Sequence, residues 1–238
     1  ILFFAIYPHW IDYSLAIATL LVGRGVPVDF WWQGEMTPLE ERPAPAREAF
    51  WRRHARRHDG TARHSSLSLF DLNHVTPVEV TDLMRSCAVE QSLIDVSYLL
   101  QKERVDIDGN PRDQQVFNER YERNLDAIRR VAAAYKRKPY VRLLLGSGGV
   151  LEFGSVYKYF QALGAQVTTF ESVDIKNRIW VSHGKSVVSA DTSELWKADE
   201  PHIVDAERRE RVLRIMKLRQ TPESNNFVIP YQKASPAS

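Results

Sequence analysis

The chain has one cysteine, Cys87, in 238 residues. A disulfide framework is excluded, and so is a zinc centre built on several thiolates. A nearly thiol-free chain fits a reducing compartment. No window approaches the roughly eighteen uninterrupted apolar residues that a spanning helix requires. An excess of one charge is also missing: 32 Lys and Arg stand against 30 Asp and Glu, a net +2. Nothing in that balance attracts nucleic acid, so no nucleic-acid partner is expected. His54, His58, His64 and His74 are scattered in polar stretches, and no H-E-x-x-H spacing occurs, so no metal is expected. A Gly-Lys-Ser/Thr phosphate loop is absent, and in "GSGGV" the serine is misplaced for a nucleophile elbow.

The opening "ILFFAIYPHW" lacks the charged start and small-residue cleavage site of a secretory signal, and Pro8, His9 and Trp10 cut its apolar run short. It reads as a core strand trimmed at its start. The chain is therefore expected to be a fragment, with "VIPYQKASPAS" leading into a missing C-terminal domain.

What is present is a repeated plan. Ile1–Ile6 is apolar throughout, as in a strand covered on both faces. "IDYSLAIATLLVGRG" follows at helical spacing, with Asp12 or Ser14 as cap and Gly25 as stop, and "VPVDFWW" is a second strand. Later, "YVRLLLG", "GVLEFGSVYKYFQALG" and "AQVTTFE" repeat strand, helix and strand, with Gly164 as stop. Two such units predict an α/β fold: a doubly wound, mostly parallel, Rossmann-like sheet with a helical insertion between the two βαβ units. The predicted limits are one domain over 1–220, an insertion over about 40–138, and a tail or linker over 221–238.

Within the insertion, "SLSLFDL" reads as a short strand. Pro77–Val105 carries one or two helices, with Leu83, Leu93, Ile94, Val96, Leu99 and Leu100 available for packing. "FNERYERNLDAIRRVAAAYKRK" is amphipathic through Phe117, Tyr121, Leu125, Ile128, Ala132 and Tyr135. Lys136, Arg137 and Lys138 close it and suit its dipole without a further role. "RIWVSHGKSVVS" is a strand and loop, a helix is expected near Asp191–Trp196, and "PHIVDAERRERVLRIMKLRQ" is a charged helix.

Candidate site residues fall at strand ends, where this class of sheet forms its binding crevice. The turn Gly146-Ser147-Gly148-Gly149 is either a ligand loop or a flexible strand-to-helix turn. Its spacing is not that of a dinucleotide fingerprint, and Glu152 in the following first turn competes for the positive helix end. Glu171 ends the next strand, where a ribose acid would stand. His9 ends the first strand, as a general base, a ligand contact or a packing residue. His183 and Lys185 in "SHGKS" follow another strand within reach of a polar ligand. Arg52, Arg53, Arg56 and Arg57 form either a patch for anionic lipid heads or a solvated face.

The segments "ILFFAIYPHWIDYSLAIATLLVGRGVPVDFWW" and "YKRKPYVRLLLGSGGVLEFGSVYKYFQALGAQVTTFES" resemble the N-terminal half of bacterial glycosyltransferases of the GT-B architecture, nearest in character to those that build capsule or surface polysaccharides. One departure is Tyr140, which stands where the family carries the Asp of Lys-Pro-Asp. The resemblance implies a hexosyltransferase-like, acceptor-side half of a cytoplasmic enzyme, with a peripheral membrane contact as an option. It would move sugar from a nucleotide-sugar donor to a saccharide or lipid-linked acceptor, with no tightly bound cofactor and little activity alone. It sets His9 as candidate base, with Ser147, Gly148 and Gly149 bordering the cleft. A non-catalytic Rossmann-like interaction module is the alternative.

Overall fold

A computed structural model describes residues 1–33, 66–138, 140–172, 179–189 and 206–219. The strands are β1 (Leu2–Ile6), β2 (Val28–Gln33), β3 (Leu67–Asp71), β4 (Leu143–Gly146), β5 (Val167–Ser172) and β6 (Ile179–His183). The helices are α1 (Pro8–Gly23), α2 (Asp82–Leu100), α3 (Pro111–Tyr135), α4 (Leu151–Ala162) and α5 (Ala206–Arg219). The strands form one sheet in the order β3-β2-β1-β4-β5-β6. The first five are parallel. β6 runs back along β5: the Gly184 amide donates to the Val167 carbonyl, and Thr168 Oγ1 meets His183 Nδ1 at 2.9 Å. The expected α/β, doubly wound, mostly parallel sheet is present.

β1 is buried at every position because both of its faces are covered. Leu2, Phe4 and Ile6 join the core that includes residues of α2, α3 and α4, while Phe3 and Ala5 join the core under α1. Alternation of side chains along the strand produces this division. Aromatic pairs fill both sides: Phe3 stacks on Phe30 at 5.9 Å, and Phe4 meets Phe153 edge-on at 5.7 Å. The chain divides into two compact units, Ile1–Phe170 with Val181–Ser189, and Glu171–Trp180 with Ala190–Ser238. In the second, α5 is the one helix among the described residues.

Several local expectations change. α1 begins at Pro8, ahead of the Asp12 or Ser14 cap. Proline suits the first helical position because its φ is already helical and that position's N–H has no partner to lose. The His9 backbone therefore lies in the first turn of a helix, not at the end of the first strand. α1 does stop as predicted: Gly25 adopts φ 80°, and the Gly25 and Val26 amides donate to Val22 and Leu21. Pro77–Val105 holds one helix, capped by Thr81, whose hydroxyl accepts from the Met84 amide at 3.3 Å. Its inner face carries Gln91, Ser92 and Asp95 beside Val96, whereas Leu93 and Ile94 are exposed. The basic end of α3 also has roles beyond the dipole: Lys138 pairs with Asp29, and Arg137 lies 5.3 Å over the Trp31 ring. The Tyr140 hydroxyl also donates to Asp29 Oδ2 at 2.6 Å. Arg52, Arg53, Arg56 and Arg57, and the helix expected near Asp191–Trp196, fall outside the described residues.

Candidate functional site

β1 and β4 are neighbours and parallel, so their carboxyl ends lie side by side. The winding reverses between them: α1 covers one face of the sheet and α4 the other. A doubly wound sheet opens its binding crevice at this reversal.

Backbone strain collects at the same place. Among the described residues four non-glycines have positive φ; Tyr7 and Ser147 stand in the turns that leave β1 and β4, and Leu151 opens α4. Tyr7 at φ 62°, ψ 137° turns β1 into α1 in a single residue. Such conformations cost on the order of 1–3 kcal/mol each and persist only where their surroundings over-determine them.

The glycine turn is closed by protein groups. The Ser147 amide donates to Phe170 O, and Ser147 O accepts from Ser186 Oγ at 3.1 Å and from the Val187 amide at 3.3 Å. A Cβ on Gly148 would stand 2.6 Å from Thr169 Cγ2, and one on Gly146 would stand 2.7 Å from the Trp10 ring. The glycines thus admit close neighbours from within the chain. The amide at the α4 start is also occupied: Leu151 N–H donates to Asp95 Oδ1 at 2.7 Å.

Asp95 belongs to a buried polar network. Its carboxylate accepts from Gln91 Nε2 at 2.9 Å, Asn124 Nδ2 at 2.9 Å and Arg120 Nε at 3.0 Å. Arg120 Nη2 lies 3.0 Å from Glu152 Oε1, without hydrogen-bond geometry, and Glu152 Oε2 accepts from the Tyr7 hydroxyl at 2.8 Å. Asp95 and Glu152 are fully buried and Arg120 is 2% exposed. Burial works against the Arg120 charge, but Glu152 and Asp95 outweigh it and hold the guanidinium above its usual value. Burial, then the Glu152 charge, pushes the Tyr7 phenol well above the ordinary tyrosine range. The positive end of α4 is therefore matched from within by two carboxylates sharing one guanidinium.

The structure brings the His9 backbone, as second residue of α1, to the edge that also carries Ser147, Gly148 and Gly149. Ser147 and Gly148 are buried within the turn. Glu171 is half-buried near the end of β5 and belongs to the second compact unit. His183 and Lys185 do not stand at a parallel strand end. Because β6 is antiparallel, His183 sits beside Thr168 at the start of β5, and Lys185 O accepts from Thr169 Oγ1 at 2.9 Å. Sequence reasoning did not find Tyr7, Asp95 or Arg120. The signal for Asp95 and Arg120 was polar residues at i, i+4 spacing on helix faces that had to be covered: Gln91 with Asp95, and Arg120 with Asn124.

Comparison with protein-family models, curated proteins and solved structures finds no match. The fold is a Rossmann-like, doubly wound α/β sheet. Among the described residues no helix is long and apolar enough to cross a membrane, and no three His, Cys, Asp or Glu side chains gather where they could hold a metal ion.

Proposed function

We propose that the chain is the acceptor-side half of a glycosyltransferase, moving a sugar from a nucleotide-sugar donor to a saccharide or lipid-linked acceptor. The observation that supports this most is the pairing of two strained turns at the point where the sheet reverses its winding, one carrying His9 and the other the glycines. In this reading His9 removes the acceptor hydroxyl proton, a role suited to imidazole near neutral pH. The closed turn fits the acceptor side: its helix end is matched by Asp95 and Glu152, so the donor diphosphate is held and stabilised elsewhere, in the opposing half.

The test uses the complete gene product and residues 1–238 alone, each incubated with a panel of radiolabelled nucleotide-sugars and with lipid-linked or oligosaccharide acceptors. Transfer by the complete product, with little or none by the isolated chain, is expected. No transfer and no nucleotide-sugar binding by the complete product would leave the interaction module as the better reading.

A further inference from the structure

Both strained turns are tied to one buried guanidinium. Arg120 meets Glu152, which accepts from the Tyr7 hydroxyl, and it also meets Asp95, which accepts from the Leu151 amide. Tyr7 and Glu152 are 145 residues apart in sequence, so the link joins the two βαβ units where β1 and β4 end. The Tyr7 carbonyl in turn accepts from the Ile11 amide at 2.9 Å and so anchors the first turn of α1. Around Tyr7, Phe153 packs edge-on at 6.4 Å. These contacts fix a backbone conformation that tyrosine would otherwise leave.

We propose that the Tyr7–Glu152–Arg120 chain is a clamp that sets the crevice rim, with Tyr7 and Glu152 as positioning residues for the first turn of α1. What that turn presents, the base His9, rests on the reading given above; the clamp itself does not. A second buried phenol–carboxylate pair supplies a matched control. At the opposite edge of the same sheet Tyr140 donates to Asp29 at 2.6 Å, and neither of those residues has a positive φ. That pair holds ordinary backbone and contributes stability without setting the crevice.

The experiment compares Tyr7→Phe with Tyr140→Phe in the complete protein by amide hydrogen exchange, read in peptides spanning Tyr7–Leu15 and Ser147–Ser155. Tyr7→Phe should speed exchange in both by about tenfold or more, the range expected for losing a hydrogen bond to a charged group. Tyr140→Phe should leave both unchanged. Glu152→Ala should act like Tyr7→Phe, and Glu152→Gln, which keeps an oxygen for Tyr7, should recover part of the protection. In turnover, Tyr7→Phe should lower kcat about tenfold with KM within about twofold, as expected when reacting groups are held off their productive geometry. Equal exchange in the two tyrosine variants, or unchanged exchange in Tyr7→Phe, overturns the clamp. Faster exchange with full kcat overturns the positioning role. Faster exchange together with full turnover by His9→Ala upholds the clamp and removes only the base.

Discussion

Replacing Arg120 by Met is the most demanding perturbation of the buried network. The side chain is 2% exposed and faces two fully buried carboxylates. Met fills much of the volume of the arginine stem, so the loss is chiefly electrostatic. Breaking a buried ion pair by removing one partner costs about 3–5 kcal/mol, because the remaining charge is left uncompensated. Here two charges are left, which places the expectation at the upper end of that range. For a chain of this size each kcal/mol lowers Tm by about 2–4 °C, so a fall of about 10–20 °C is expected. Adding Asp95→Asn and Glu152→Gln to the same protein removes the stranded charges and should recover at least about half of the loss. Urea unfolding followed by circular dichroism measures both, with an unchanged slope identifying a true stability change. A loss below about 1 kcal/mol for Arg120→Met, or no recovery in the triple variant, would refute the claim that this guanidinium compensates both carboxylates.

Tyr7 and Tyr140 both titrate above the ordinary value of 10.0, chiefly through burial and then through Glu152 and Asp29 respectively. A raised folded-state value means their contribution is complete below the unfolded-state value and is lost as pH rises through the folded one. Stability should therefore fall above about pH 10, and absorbance at 295 nm should show late-ionising tyrosines that Tyr7→Phe and Tyr140→Phe each remove; ionisation of all tyrosines at the ordinary pH would contradict this. Gly146→Ala places a Cβ 2.7 Å from the Trp10 ring and should cost about 1–3 kcal/mol, read as a Tm loss that Trp10→Leu partly reverses. No loss would mean that the ring does not lie against that glycine.

The sheet was legible because β1 and β4 are short apolar runs and the helices that follow them are closed by glycines whose backbone demands are local. Gly25 and Gly164 take φ 80° and 72° where the helices were expected to stop. The start of α1 was misplaced because Pro8 was read as a breaker, although proline at the first helical position initiates a helix. The direction of β6 depends on a pairing partner and is not a local property. The six residues 173–178 between β5 and β6 did carry a hint, since a parallel crossover needs about a dozen residues or more. The glycine turn was placed correctly, but its neighbours were hidden. Asp95 and Arg120 come from helices far along the chain, and the apolar residues beside Asp95, Leu93 and Ile94, drew attention to the outer face of α2 instead.

For the proposed glycosyl transfer, the most direct measurement is its pH-dependent rate, wild type against His9→Ala, at saturating nucleotide-sugar and acceptor. If the rim of β1 presents the catalytic base, the variant loses about two to four orders of magnitude in kcat, and the acidic limb of the profile disappears with the imidazole. Wild-type turnover by His9→Ala, with that limb intact, would contradict the account.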